Sequence, residues 1–424
     1  RNNGLQNQSV LLVAESLEAE PRVLLDPNAL SPDGTVALSG YSISEDGNWM
    51  AYGLSTAGSD WQEWRVRGVR TGRDEADLLK LVKFSGASWT KDGKGFFYSR
   101  YDEPKAGQAK KGANYFQKLF FHRLGTAQSE DVLVYERPDE KEWGFGGHVT
   151  DDGRYLIISV WKGTDRRNRV FYKDLQAPGA KVVELLNDFD AHYSLVDNDG
   201  PLFWFTTDLD APRGRVIAID ITQPVRAQWR EVIPQAAETL KGVNLLNDQF
   251  VCTYLKDARS EVKIFSRDGK FLRAVELPGI GSAGGFGGRR RETETFYSFT
   301  SFNVPGTIYR HDMATGRSAV FREPKVAFNP ADYETRQVFF ASKDGTRIPM
   351  FVSHKRGLRL DGRNPTQLYG YGGFNSSLTP AFSVSMLAWM ERGGVYAMPN
   401  LRGGGEYGED WHQAGTKLKK QNVF

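Results

Sequence analysis

Three stretches decide the fold: SEDGNWMAYGLS at Ser44–Ser55, TKDGKGFFYSR at Thr90–Arg100 and TDDGRYLIISV at Thr150–Val160. In each, an Asp-Gly turn runs into aromatic and β-branched residues, the pattern of a tight turn entering a buried strand. Looser copies stand at Asp197–Asp208 (DNDGPLFWFTTD) and Glu292–Ser301 (ETETFYSFTS).

Around these copies runs a longer period. Seven times a β-patterned run reaches a polar turn and a second run follows. The first runs are Ser9–Ser16, Glu63–Val69, Lys118–Leu124, Arg169–Leu175, Arg215–Ile221, Glu261–Asp268 and Thr307–Met313. The second are Arg22–Leu25, Leu78–Val82, Asp131–Tyr135, Val182–Leu186, Trp229–Ile233, Phe271–Leu277 and Ser318–Phe321. A unit of about four strands recurring every ~45–55 residues is the period of a propeller blade. One four-stranded blade cannot bury both its faces, whereas a ring of blades covers them and shortens the exposed edges. The spacing predicts a seven-bladed β-propeller over residues 1–325, in preference to a run of β-sandwiches.

Composition agrees with an all-β repeat. The chain has 424 residues, 45 of them glycine, with 40% hydrophobic and 12% aromatic residues. Its 55 basic and 52 acidic residues nearly cancel, so no nucleic-acid footprint is present, and Arg289–Arg291 reads as a solvated turn. The single cysteine, Cys252, excludes a disulfide within the chain. The six histidines are scattered, without an HExxH pair or a Cys/His cluster, so no metal and no cofactor is expected. No apolar run approaches the ~18 residues that span a bilayer. The opening RNNGLQNQSV has neither the charged nor the apolar region of a signal peptide. A cytoplasmic or periplasmic location is expected, the cytoplasm in preference, with neither a membrane nor a nucleic-acid partner.

After Pro324 the period stops. Tyr333–Ala341, the turn SKDGT (Ser342–Thr346) and Arg347–Ser353 read as a hairpin, and Thr366–Tyr369 as a short strand. Ser383–Arg392 has helical spacing and ends at Gly393-Gly394. Val395–Asn400 is a further strand, and the loop LRGGGEYGEDW (Leu401–Trp411) follows. Strand, glycine loop, helix, strand is α/β patterning. Residues 326–424 are therefore expected to be the first part of an α/β domain, and the ending TKLKKQNVF is expected to fall inside it.

The chemistry centres on LYGYGGF, Leu368–Phe374. Glycines after a strand let backbone approach a ligand closely. Tyr371 between them can present its hydroxyl at the sheet end, where a donor stabilises an oxyanion. Equally, it can be a turn aromatic packed on a surface. Glu406 and Glu409 have no metal pattern and no catalytic role is assigned to them. Asn7-Gln8-Ser9 and Asn375-Ser376-Ser377 match glycosylation acceptors, the second discounted because it lies in the candidate loop. GGFGG at Gly284–Gly288 lacks the strand–helix setting of a phosphate loop.

LYGYGGFNSSLTP (Leu368–Pro380), GGVYAMPNLRGGGEYGEDWH (Gly393–His412) and KQNVF (Lys420–Phe424) resemble the prolyl oligopeptidase family. So do LLDPNALSPDGTVALSGYSISEDG (Leu24–Gly47) and GSDWQEW (Gly58–Trp64), so that the similarity runs along the whole chain. The resemblance implies a seven-bladed propeller capping an α/β-hydrolase domain. It also implies a serine peptidase that cleaves short peptides on the carboxyl side of proline through an acyl-enzyme. Tyr371 matches the position whose hydroxyl serves the oxyanion hole, and Phe374 the position lining the pocket near the proline. The propeller would gate access, so that peptides enter and folded proteins do not. His412 does not match the triad histidine.

The sequence departs from the family at one place. No serine stands in G-x-S-x-G. GLSTAG (Gly53–Gly58) is one residue too long and GSAG (Gly281–Gly284) has Ile280 in place of the first glycine, and both read as turns. The nucleophilic serine, the aspartate and the histidine are expected beyond Phe424, and these 424 residues alone are expected to be inactive. Proline-containing peptides are the expected partners and a monomer the expected state. The alternative from a different class is a non-catalytic propeller that binds peptides. Within the hydrolases, relatives with other specificities remain open, although LDPN and GSDW favour the proline-specific branch.

Overall fold

The computed structural model describes residues 1–103 and 114–424. They form two compact units, Arg1–His192 and Tyr193–Phe424.

The first unit begins with a two-stranded antiparallel sheet, Leu11–Val13 with Arg22–Leu25. The next repeat is a four-stranded meander, Val36–Ile43, Trp49–Thr56, Gln62–Gly68 and Asp74–Val82. Another follows with Ser88–Trp89, Gly95–Arg100, Lys118–Arg123 and Val132–Tyr135. The two are joined by a single bridge, Val82 to Arg100. The last meander of this unit is Trp143–Val149, Tyr155–Lys162, Arg169–Asp174 and Val183–Leu186.

The second unit continues the pattern with three more four-stranded meanders. They start at Tyr193–Asp199, Thr239–Leu246 and Ser282–Gly287, and end at Arg230–Ile233, Phe271–Val275 and Ser318–Arg322. Every paired run of the sequence period falls on the last two strands of one sheet. The first repeat contributes those two strands alone.

The Asp-Gly turns have one construction. The hydroxyl of Ser44, Thr90 or Thr150 donates to the carboxylate two residues on, Asp46 (2.6 Å), Asp92 (2.7 Å) or Asp152 (2.6 Å). The same carboxylate accepts the amide of Asn48, Lys94 or Arg154. The glycine takes φ of 72°, 66° and 72°, which only glycine adopts without strain. Hydroxyl donation holds Asp46 and Asp92 below the ordinary carboxylate range.

The turn at Ser266–Lys270 is built alike, and it gives a test. Gly269 has φ of 85°, and a Cβ there would lie 1.8 Å from the carbonyl oxygen of Val232. Gly269→Ala is expected to cost about 2–3 kcal/mol in urea unfolding, because backbone strain and a backbone clash add. At Gly47 nothing lies within 4 Å of such a Cβ, so Gly47→Ala should cost only about 1 kcal/mol. Equal losses at the two sites would refute this account.

Strands entered from these turns are apolar on both faces because sheets cover them on both sides. Phe97 and Leu119 of one sheet pack with Trp143, Phe145, Leu156 and Ile158 of the next. In the second unit Trp204, Val216 and Ile233 meet Leu245, Phe250 and Cys252 in the same way.

Two features differ from the sequence reading. Two of the strands that open a sheet, Trp143–Val149 and Ser282–Gly287, are glycine-rich. GGFGG is largely one of them, for Ser282–Gly287 is a strand and not a loop. Glycine is needed there: a Cβ on Gly144 would sit 2.3 Å from the Trp161 ring. The serines of both decoy motifs likewise lie in strands rather than turns, Ser55 in Trp49–Thr56 and Ser282 in Ser282–Gly287. The other difference is Gln249–Lys256, entered through Asn247-Asp248 at φ of 47° and 53° rather than through Asp-Gly.

The end of the second unit changes architecture. Strands β1 (Tyr333–Ala341), β2 (Arg347–Lys355), β3 (Thr366–Leu368) and β4 (Val395–Pro399) form one sheet in the order β1-β2-β4-β3. β3 and β4 are parallel, joined by a crossover that includes helix α1 (Val384–Glu391). Phe351 of β2 with Tyr396 and Met398 of β4 packs on Ala258 and Phe302 of the preceding sheets.

Candidate functional site

LYGYGGF leaves the carboxyl end of β3, where open α/β sheets place their ligands. Two other segments brace the loop. The side chain of Leu401 fills the space that a Cβ on Gly370 would take, at 2.7 Å. At Gly372, φ is 65° and a Cβ would meet Val423 at 2.4 Å and the Arg402 carbonyl oxygen at 2.9 Å. Lys420 Nζ donates to the Gly372 carbonyl at 2.6 Å. Gly370 is therefore required by close approach, and Gly372 by close approach as well as by turning.

Tyr371 is 47% exposed, and its hydroxyl has no hydrogen-bond partner among the described residues. Phe374 is 84% exposed and left-handed, with φ of 51°, and Asn375 follows at 56°. A bulky residue at positive φ with its ring in solvent is strained, which is typical of positions held for a ligand.

Leu401–Trp411, expected as a surface loop, is largely buried. Arg402 is 4% exposed and reaches the β1–β2 turn, where it donates to Asp344, to Ser342 Oγ (2.9 Å) and to Thr346 Oγ1 (3.2 Å). That guanidinium holds the Asp344 carboxyl down at about 2. Tyr407 donates to Asp257 at 2.7 Å, and burial raises its hydroxyl pKa. The Thr239 hydroxyl donates to the Glu406 carbonyl at 3.1 Å. The Glu409 amide donates to the Pro212 carbonyl at 2.8 Å, opening helix α2 (Glu409–Gln413).

His412 lies on α2, and its Nδ1 is 2.8 Å from the Gly403 carbonyl. The Asn375 amide donates to the same carbonyl at 3.0 Å. His412 thus braces the glycine loop. Glu406 is 1% exposed and points inward, toward the turn after Phe374. Sequence reasoning passed it over as part of a flexible-looking loop. The missed signal was the run of three glycines before it, which makes room for a carboxyl over bare backbone. The second glycosylation motif is confined in turn, because Asn375 Oδ1 lies 2.5 Å from where a Gly405 Cβ would be.

Repeated four-stranded sheets followed by a sheet with a parallel pair and a glycine loop define a β-propeller joined to an α/β-hydrolase-type segment. Residues 1–324 match the prolyl oligopeptidase N-terminal β-propeller domain, and residues 380–424 match the prolyl oligopeptidase family. The chain belongs to the prolyl oligopeptidase family. It is 45% identical, along its whole length, to the prolyl endopeptidase of Elizabethkingia meningoseptica, of which it covers 59%. It is 37% identical to prolyl oligopeptidase A of Amanita bisporigera, covering 60% of that protein. Among solved structures, one from a study of two prolyl endopeptidases superposes with a TM-score of 0.90 at 37% identity, over 98% of this chain and 61% of the other. Prolyl oligopeptidase B of Galerina marginata, bound to a 25mer macrocyclization substrate, superposes with a TM-score of 0.92 at 33% identity, over all of this chain and 62% of the other. The chain thus spans about 60% of the length of these relatives.

Proposed function

We propose that the chain serves a serine endopeptidase that hydrolyses short peptides on the carboxyl side of proline through an acyl-enzyme. In this reading residues 1–325 are a propeller that gates access, and 326–424 open the peptidase domain. Tyr371 donates to the oxyanion, Phe374 lines the pocket for the proline, and the serine, aspartate and histidine follow Phe424. The observation that carries the reading is the Tyr371 hydroxyl. It is uncommitted and exposed, on a loop braced by Leu401, Val423 and Lys420. Preorganised donors of this kind stabilise developing charge without reorganising during the reaction.

No helix among the described residues is long and apolar enough to cross a membrane. The one cysteine, Cys252, is buried and has no partner for a disulfide within the chain.

A fluorophosphonate probe tests the enzyme reading. The chain extended to its relatives' length should be labelled at one serine, whereas the 424 residues alone should remain unlabelled and leave a prolyl peptide uncut. Absence of labelling in the extended protein would favour a peptide-binding propeller instead. Serine-dependent cleavage by the 424 residues would overturn the placement of the nucleophile.

A further inference from the structure

Beneath the Tyr371 loop lies a group of oxygens with too few donors. Glu406 Oε1 accepts the Leu378 amide at 2.9 Å, and Asn400 Nδ2 stands 3.5 Å away. Asn400 Nδ2 is committed to the Leu378 carbonyl at 2.6 Å. Glu406 Oε2, Asn375 Oδ1 and Asn400 Oδ1 are buried and have no hydrogen-bond partner among the described residues. Glu406 Oε2 lies over Gly404, where a Cβ would be 2.1 Å from it, and Asn375 Oδ1 lies over the adjacent Gly405. An ionised carboxylate offers acceptors only, so ionised Glu406 would add no donor to a site where these buried oxygens already lack one. A protonated carboxyl turns one of the three oxygens into a donor.

We propose that Glu406 is a positioning residue acting in its protonated, neutral form. Its acid hydrogen and its accepting oxygen together clamp the Asn375–Leu378 turn, and with it Tyr371 and Phe374, onto the glycine loop. Ionisation of Glu406 loosens the clamp. Burial pushes the Glu406 carboxyl up from its ordinary range, against opposing hydrogen bonds from the Leu378 and Glu406 amides and from Asn400, and against the charge of Lys241 on Thr239–Leu246. The other charged or titratable groups at the loop are Arg402, committed to Asp344; Tyr407, committed to Asp257; His412, set against Gly403; Lys420, committed to the Gly372 carbonyl; and Glu409 and Asp410 in the first turn of α2. A carboxyl raised in the fold binds its proton more tightly there than in the unfolded chain. Its clamp is therefore complete at acid pH and fades as pH climbs past the ordinary carboxylate range.

The bearing on catalysis rests on the reading of Tyr371 above, whereas the clamp can be tested without activity. Amide hydrogen exchange over residues 371–378 of the 424-residue chain, corrected for intrinsic rates, is compared from pH 5 to pH 9. In the parent chain protection should fall roughly tenfold across this range. In Glu406→Gln, which keeps one donor and one acceptor, protection should hold at every pH. In Glu406→Ala it should be low throughout, with strands 249–256 and 259–266 still protected as proof of folding. A flat profile in the parent chain, or a Gln variant that exchanges like the Ala variant, would overturn the clamp. Where exchange follows the expected pattern but Tyr371→Phe proves harmless, only the oxyanion reading falls. The reverse pair of results sinks the clamp alone.

Discussion

Tyr371→Phe, in the chain extended to its relatives' length, is expected to lower kcat on a prolyl peptide by about 10²–10³-fold, with KM little changed. The ring stays, so the loop keeps its packing; only the donor leaves. A donor that strengthens as charge gathers on the carbonyl oxygen contributes to the transition state and hardly to the bound substrate. The structure favours this split because Tyr371 is exposed and its hydroxyl has no partner to lose among the described residues. A kcat within a few-fold of the parent would remove Tyr371 from the oxyanion hole. A rise in KM at constant kcat would make it a binding residue. Thermal unfolding of the same variant should be unchanged, which separates the chemical effect from a folding one.

The second large effect is expected in the first unit, at His122. The imidazole is wholly buried between two carboxylates, with Nε2 2.9 Å from Asp77 Oδ1 and Nδ1 2.7 Å from Asp131 Oδ1. Tyr98 donates to Asp131 at 2.6 Å and the Gly125 amide to Asp77 at 2.7 Å. Asp77 lies on Asp74–Val82 and His122 on Lys118–Arg123, so the pair ties two meanders whose backbones meet at one bridge. Burial works to lower the imidazole pKa, but hydrogen bonds to Asp131 and Asp77 outweigh it and hold the group at about 9.

His122→Ala would leave two buried carboxylates without their cation, and a loss of about 3–5 kcal/mol in urea unfolding is expected. The pH dependence has a definite sign. A group raised in the folded state gives its full stability below the unfolded value near 6.5 and loses it as pH rises through about 9. The parent chain should therefore weaken by about 3 kcal/mol between pH 6 and pH 10. His122→Gln should lack that slope. A variant with the parent's slope, or a loss under about 1 kcal/mol, would show that the triad is not a clamp.

The order of elements was legible in the sequence because a blade repeats. Each Asp-Gly turn carries its own hydroxyl, carboxylate and positive-φ glycine within five residues, so local chemistry dictates it wherever it occurs. The aromatic runs after these turns had to be buried, and the period showed how often. Tyr371 could be picked out between its glycines, although the residues alone left it equally a turn aromatic, and Phe374 was marked only by the resemblance to the family.

Other features became visible only when distant segments met. Trp143–Val149 is glycine-rich for the sake of a ring on the neighbouring strand, Trp161 over Gly144, and a sequence pattern does not carry that partner. His122 looked like one histidine among six until folding set Asp77, 45 residues away, against it. Glu406 looked like a loop carboxylate until Asn375, Leu378 and Asn400 closed around it. By itself the sequence determined the repeat and its turns, because those depend on neighbours in the chain. Tertiary structure decided which charges are buried and which acceptors lack donors, because burial and pairing depend on contacts between residues far apart in sequence.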